Sequence, residues 1–237
     1  MKRLRWLVCL LLLVGQSYAQ NWESRAKADL YGGDAKWQSE LLAVKTSAKS
    51  GRVFVVMAGT NMATDGGFLG CHACAPEIGI AVYRKGVLEL KDPQVTRFGA
   101  FGKADKDVDL LDLGGEEALL LRKSDTHQGI EELAGALFRV TDEKIGPLLW
   151  IDFGQRVVAC NPKAEFLTEW CWKYTRELRI EKQATMGLAD LTVVASGTRP
   201  DYEHKKLVPA ETVRYRFDGL RYVPVGESPF DEGDVEH

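Results

Sequence analysis

Apolar and polar side chains alternate along much of the chain, and the longest alternation covers residues 166–180. A period of two over this length predicts a β-strand with one buried and one wetted face, which is typical of an antiparallel sheet. The odd positions are mostly charged, so we expect the aromatic row on the even positions to face the core rather than to form an exposed platform for sugar or peptide. The row comprises Phe166, Trp170, Trp172 and Tyr174 and continues into Arg176, which predicts that its far end reaches the rim of the sheet.

Shorter apolar runs occur in pairs around turn-forming residues, a pattern that predicts β-hairpins. Asp218-Gly219 is the strongest of these turn signals, because Asp-Gly suits a type I′ turn. Residues 52–57 and 191–196 are rich in β-branched side chains and predict two further strands. The predicted hairpins pair 79–83 with 87–90, 108–113 with 117–122, 133–140 with 144–151, and 213–217 with 220–223.

A short helix is predicted near the N-terminus, with Trp22, Ala26 and Leu30 on one face and Gly32-Gly33 at its end. Residues 36–46 fit a helix and a strand equally well. No succession of strands and long helices follows, which argues against a βαβ architecture. The predicted fold class is therefore mainly β, an antiparallel sandwich, barrel or propeller-like sheet assembly with a short N-terminal helical segment.

The first residues have the pattern of a secretory signal peptide. A basic start is followed by an apolar run over 6–15, too short to span a bilayer, and small residues at 17 and 19 predict cleavage before Gln20. We therefore expect a periplasmic or secreted protein with no membrane anchor after signal cleavage. The predicted divisions are 1–19 signal peptide, 20–50 N-terminal helical segment, 51–226 antiparallel β domain and 227–237 acidic flexible tail.

The net charge of the mature chain limits the classes of partner that we expect it to bind. Cleavage would leave 28 Lys and Arg residues against 34 Asp and Glu residues, a net charge of −6. An acidic chain with interspersed charges argues against nucleic acid as the main partner, because a phosphate backbone requires a basic surface. A protein, an envelope polymer or a small ligand remains as the expected partner.

Four cysteines would remain after cleavage, namely Cys71, Cys74, Cys160 and Cys171. An even number in an exported chain predicts two disulfides, and three pairings are possible. We favour Cys71–Cys74 and Cys160–Cys171 because each pair is close in sequence. The second bridge would close a loop of about a dozen residues and contribute about 3 kcal/mol.

The segment 59–76 is the most conspicuous candidate for function, because it is a Gly-rich polar connection that ends in Cys71-His72-Ala73-Cys74. A redox dithiol there lacks the strand-to-helix context of thioredoxin-like motifs. A zinc site with Asp65 or His127 as further ligands lacks a second closely spaced Cys/His pair. Covalent haem would require C-x-x-C-H, and Ala75 occupies the histidine position. A structural bridge is the preferred interpretation, with no cofactor and no metal.

The segment Ser124-Asp125-Thr126-His127-Gln128-Gly129 joins two predicted strands. Residues this close in sequence rarely form a catalytic triad, and no G-x-S-x-G motif is present. A turn with its own side-chain hydrogen bonds is the preferred interpretation. His72 and His127 would form a ligand or metal site only if the fold brought them together.

The Cys71-His-Ala-Cys-Ala-Pro-x-Ile-Gly79 element, Gln128-Gly129 and the closing Tyr215-Arg-Phe-Asp-Gly-Leu-Arg-Tyr222 resemble a group of exported bacterial proteins without known activity. The resemblance spans roughly residues 50 to 225. It implies export and a β fold, and it implies no mechanism.

Two functional hypotheses follow. The first is an exported, disulfide-stapled β protein with a non-catalytic binding role through the 59–76 loop. The second is a thiol–disulfide or metal-dependent enzyme centred on the Cys71-His72-Ala73-Cys74 element. The absence of a complete catalytic constellation in the sequence favours the first. Its candidate binding residues are His72, Asp65, His127 and Gln128.

Overall fold

The computed structural model describes residues 21–62, 74–158, 171–201 and 206–226. A helix, α1, covers residues 21–31. The strands that follow are β1 (Trp37–Thr46), β2 (Arg52–Asn61), β3 (Glu77–Arg84), β4 (Val87–Arg97), β5 (Asp107–Asp112), β6 (Glu117–His127), β7 (Ile130–Val140), β8 (Ile145–Val157), β9 (Lys173–Thr185), β10 (Leu188–Asp201), β11 (Lys206–Pro209), β12 (Val213–Phe217) and β13 (Tyr222–Pro224). The mainly β fold with a short N-terminal helix is confirmed.

The strands form two open sheets. One has four strands in the order β1-β2-β3-β4, and the other has nine, in the order β13-β12-β10-β9-β8-β7-β6-β5 with β11 beside β10. Neighbouring strands with a described register are antiparallel, as the wetted-face pattern predicts. Among the described residues, no helix is long and apolar enough to cross a membrane.

The chain divides into two compact units. The first contains the residues up to Leu110 together with Asp142–Ile145, and the second contains Leu111–Thr141 and the residues from Gly146 onward. The β domain predicted over 51–226 stays a prediction. Each sheet has a hydrophobic core of its own.

In the first unit, α1 packs its predicted apolar face on the four-stranded sheet. Ala26, Leu30 and Tyr31 are buried against Val55, Met57, Ala81 and Tyr83. The helix ends at Gly32 and Gly33, whose φ angles of 65° and 69° are in the left-handed region that favours glycine. The predicted helical segment 20–50 also contains β1, so the sheet begins earlier in the chain than expected. Pairing with β2 decides this ambiguous stretch, and a bulge between Leu41 and Ala43 breaks its period-two pattern.

In the second unit, apolar side chains of the nine-stranded sheet and its turns form the hydrophobic core. The three hairpins predicted for this unit and the strand over 191–196 are present, as is the predicted β3–β4 hairpin of the first unit. The strands β6, β7 and β8 are longer than the sequence indicated, whereas β13 is shorter. The core comprises Leu113, Ala118, Leu120, Leu137, Leu148, Ile151, Phe153, Leu188, Leu191, Val193, Phe217 and Tyr222.

The turn at Asp218-Gly219 differs from the predicted type I′. Only Gly219 has a positive φ, of 102°, whereas a type I′ turn requires two such residues. The Asp218 carboxylate instead accepts the amides of Leu220 and Arg221, both at 2.8 Å. These backbone donors lower the pKa of Asp218. The side chain thus stabilises a longer turn, and β13 begins only at Tyr222.

The aromatic row on β9 is buried where it is described, and Phe166 and Trp170 lie outside the described residues. Trp172 and Tyr174 are buried, which confirms the expected core face for these two rings. The expectation that Arg176 marks the rim is wrong, because its side chain is only 2% exposed. Its guanidinium pairs with the carboxylate of Asp152 and lies 4.8 Å from the centre of the Tyr174 ring. A carboxylate partner therefore permits a buried cation inside the row.

Candidate functional site: a polar cluster at one end of the first sheet

The connection that contains the Cys-His-Ala-Cys element leaves the four-stranded sheet after β2 and returns at β3. At this end, the strand register places one residue from each strand in a lateral row. Ser39 pairs with Gly59, Gly59 pairs with Glu77, and Glu77 pairs with Arg97. Gly59 is the first residue of the 59–76 segment and Glu77 directly follows its last, so the row contains the paired strand residues at the two ends of that segment.

The ring of Tyr31 lies over this row. It stacks on Trp37 with 4.6 Å between the ring centroids and an interplanar angle of 18°. A Cβ atom on Gly59 would lie 2.6 Å from the Tyr31 hydroxyl oxygen, and one on Gly79 would lie 2.8 Å from it. Both strands therefore need glycine here, because any side chain would displace the tyrosine.

Two hydroxyl groups in the cluster have no hydrogen-bond partner. The Tyr31 Oη and Ser39 Oγ atoms are both buried and both unpartnered. Buried polar groups are almost always hydrogen-bonded, so two such hydroxyls at the same end of one sheet call for an explanation. Burial raises the pKa of Tyr31, and the nearby negative charge of Glu77 raises it further, so the phenol is neutral in the physiological range.

Glu77 brings a carboxylate into the cluster and is itself buried. The Gln94 side-chain amide donates to its Oε2 at 2.5 Å, and the Arg97 guanidinium donates to its Oε1 at 3.2 Å. The charge of the carboxylate is therefore balanced by Arg97. We call Tyr31, Ser39, Glu77, Gln94 and Arg97 the Tyr31 cluster; it offers hydroxyl, carboxylate, amide and guanidinium groups with no net charge.

The cysteine predictions fall mostly outside the described residues. Cys71, His72, Asp65 and Cys160 lie there, so their positions and the Cys71–Cys74 and Cys160–Cys171 pairings stay predictions. The Cys74 carbonyl oxygen accepts the Gly102 amide at 2.6 Å, which connects the end of the loop to the segment after β4.

His127 and Gln128 lie at the tip of the β6–β7 hairpin, in the second unit. Gln128 and Gly129 have φ angles of 49° and 83°, the conformation of a tight turn. The Asp125 carboxylate accepts the Thr126 amide at 2.8 Å, and the Ser124 hydroxyl lies 3.4 Å from Glu131 Oε1. The turn is shorter than predicted, because residues 124–127 belong to β6 and pair with β7, and only Gln128 and Gly129 lie between the two strands. Whether His127 approaches His72 stays a prediction.

Sequence reasoning identified the 59–76 loop but missed the Tyr31 cluster. Its members come from α1, β1, β3 and β4, and no spacing in the sequence links them. The available signal was the presence of Gly59 and Gly79 inside otherwise apolar strands, which indicates a close approach by another group. Within the described ranges, no group of three or more His, Cys, Asp or Glu side chains is arranged to hold a metal ion.

No family model matches the chain, and no curated protein or solved structure matches it. The resemblance to exported bacterial proteins therefore stays a prediction.

Proposed function

We propose that this protein is an exported, disulfide-stapled β protein that binds an uncharged, hydrogen-bonding ligand at the Tyr31 cluster, with the 59–76 loop as part of the site. Its role is binding rather than catalysis. The proposal keeps the binding function expected from the sequence and moves its centre to the sheet residues at the base of the loop. His72 and Asp65 belong to that loop and remain candidate binding residues.

The observation that carries the proposal is the pair of unpartnered buried hydroxyls on Tyr31 and Ser39. A buried hydroxyl without a hydrogen bond destabilises the fold by about 1–3 kcal/mol. A ligand that supplies the missing partners would recover this free energy on binding, and specificity would follow because an analogue without those groups leaves the hydroxyls unsatisfied.

The chemistry of the cluster favours a saccharide unit of an envelope polymer. Because Glu77 is balanced by Arg97, the cluster has no excess charge to attract an ionic ligand. Carboxylate, amide and guanidinium groups are planar hydrogen-bonding partners for neighbouring hydroxyls. The Trp37 ring, which stacks on the buried Tyr31 ring, is only partly buried and adds an aromatic surface that suits the apolar face of a sugar.

Export and two disulfides complete the proposal. They are supported by the signal-peptide pattern at residues 1–19 and by the even number of cysteines that cleavage would leave. A Cys71–Cys74 bridge would restrain the 59–76 loop and so reduce the conformational entropy that is lost when a ligand binds.

The test removes the hydroxyl group from each of two buried tyrosines of the same unit, one at a time, and compares the unfolding free energies of the two variants. Tyr31→Phe removes an unpartnered hydroxyl, so we expect its unfolding free energy to be unchanged or higher. Tyr83→Phe removes a hydroxyl that donates to Asp29 Oδ2 at 2.7 Å, so we expect a loss of about 1–2 kcal/mol. Urea unfolding followed by circular dichroism measures both.

Ligand affinity should show the opposite order, because Tyr31→Phe should lose affinity and Tyr83→Phe should not. With an N-acetylated disaccharide as the probe in isothermal titration calorimetry, Tyr31→Phe should weaken affinity about fivefold or more, which corresponds to about 1 kcal/mol. Tyr83→Phe should bind as the unmodified protein does. Equal affinity of all three proteins would contradict the proposal and assign the hydroxyls to buried water. Binding of an unstructured peptide but not of the disaccharide would overturn the saccharide assignment in favour of a protein partner.

A further inference from the structure

A second polar cluster lies on the nine-stranded sheet, on the face opposite its hydrophobic core. Leu191 and Val193 of β10 belong to the core, so the residue between them faces the other side of the sheet. That residue is Thr192, and it is paired with Arg179 of β9 and with Arg214 of β12. Directly paired residues on one face have Cβ atoms about 4.5–5.5 Å apart, so two guanidinium side chains flank one hydroxyl.

The hydroxyl of Thr192 is the unusual member of this row. Thr192 is 8% exposed, and its Oγ1 atom is buried with no hydrogen-bond partner. The groups beside it are long, exposed arginine side chains that can rotate without a change in the backbone. A ligand can therefore reach the hydroxyl when a guanidinium turns aside to bind the same ligand.

The arginines around Thr192 differ in their ion-pair partners. Arg179 pairs with Glu177 at 3.0 Å, with both side chains more than half exposed. Arg216 on the same strand face lies 3.6 Å from the carboxylate of the buried Asp190. Arg214 is exposed and has no ion-pair partner in the part of the chain that the structure describes. Exposed ion pairs contribute little stability, so Arg179 can exchange Glu177 for another anion at small cost.

We propose that Arg179, Thr192 and Arg214 form a binding site for one tetrahedral oxyanion, a phosphate group. Guanidinium groups donate two parallel hydrogen bonds to oxyanions, and a hydroxyl between two of them supplies a further donor. The register places one donor side chain from each of three neighbouring strands in a single row, and three such donors suit the several oxygens of a phosphate better than a planar carboxylate. The site belongs to the second unit and is independent of the proposed function at the Tyr31 cluster.

Glu177 and Asp190 limit the affinity, because each places a carboxylate beside the arginines. The isolated ion should therefore bind weakly, with a dissociation constant on the order of 1 mM, which corresponds to about −4 kcal/mol. A phosphate that belongs to a larger molecule would gain further contacts along the wetted face of β9, β10 and β12.

The experiment is a titration of the isotope-labelled protein with inorganic phosphate at constant ionic strength, followed by amide chemical shifts. We expect saturable shifts at Thr192 and its neighbours. Arg214→Gln should weaken binding about fivefold or more. Arg221→Gln is the matched control, because Arg221 is an exposed arginine in the β12–β13 turn, outside the row. This substitution removes the same charge and should change the affinity less than twofold.

Thr192→Val tests the hydroxyl without a change of charge. It should weaken phosphate binding severalfold and leave the free energy of unfolding unchanged or higher, because the lost hydroxyl had no partner. Equal weakening by Arg214→Gln and Arg221→Gln would overturn the proposal in favour of unspecific attraction. Shifts that do not saturate would also overturn it, and acetate binding as tightly as phosphate would overturn the assignment to a tetrahedral anion.

Discussion

Replacement of Gly197 by alanine is expected to lower the free energy of unfolding by about 3 kcal/mol. Gly197 pairs with Tyr174 across β9 and β10, and its φ angle is 95°. A Cβ atom there would lie 2.2 Å from the carbonyl oxygen of Lys173. A carbonyl oxygen in a paired strand cannot rotate away as a flexible side chain can, so the backbones of both strands have to separate.

Gly187 provides the matched control for this substitution. It lies in the turn between the same two strands and has a similar φ angle of 91°, but a Cβ atom there would have nothing within 4 Å. Gly187→Ala should therefore carry only the backbone strain and lose about 1 kcal/mol. Urea unfolding of both variants measures the difference. Equal losses would contradict the steric argument.

Replacement of Arg176 by methionine is expected to destabilise the protein by about 2–3 kcal/mol. The guanidinium is buried, pairs with Asp152 and also donates to the Asp152 carbonyl oxygen at 3.3 Å. Loss of one partner from a buried ion pair costs about 3–5 kcal/mol, and the partial exposure of Asp152 reduces this value. Asp152 would retain the Tyr174 hydroxyl, which donates to it at 2.7 Å.

Arg156→Met is the control for the ion pair of Arg176. Arg156 pairs with Glu131 on the surface, where its side chain is 53% exposed. Exposed ion pairs contribute about 0–1 kcal/mol, so this variant should unfold near the midpoint of the unmodified protein. Equal losses of stability by the two methionine variants in thermal and urea unfolding would mean that the buried Arg176–Asp152 pair contributes no more than an exposed pair.

The hairpins could be predicted from the sequence because their determinants are local. Period-two alternation places side chains on two faces, and glycine at positions such as Gly86 and Gly115 permits the positive φ that the turns require. The β1 strand could not be assigned because its bulge interrupts the period, and only pairing with β2 distinguishes it from a helix. The turn at Asp218 differed because its carboxylate binds amides two and three residues ahead.

Long-range pairing explains the remaining differences. The burial of Arg176 depends on Asp152, which lies 24 residues earlier in the chain. Likewise, Ser39, Glu77 and Arg97 become neighbours only through the register of four strands. A single sequence identifies the loop of interest by its composition, but it does not specify which strand residues lie at the base of that loop.

The most direct test of the account is the redox stability of the bridges in the exported, mature protein. Intact mass after thiol alkylation across graded redox buffers would report the state of each cysteine, and native mass would report a bound metal. We predict a chain that begins at Gln20, two bridges that resist reduction below about −250 mV, and no added metal mass. A Cys71–Cys74 pair reduced at about −200 to −120 mV, or a mass increment equal to zinc, would contradict a binding role and identify the loop as an active site.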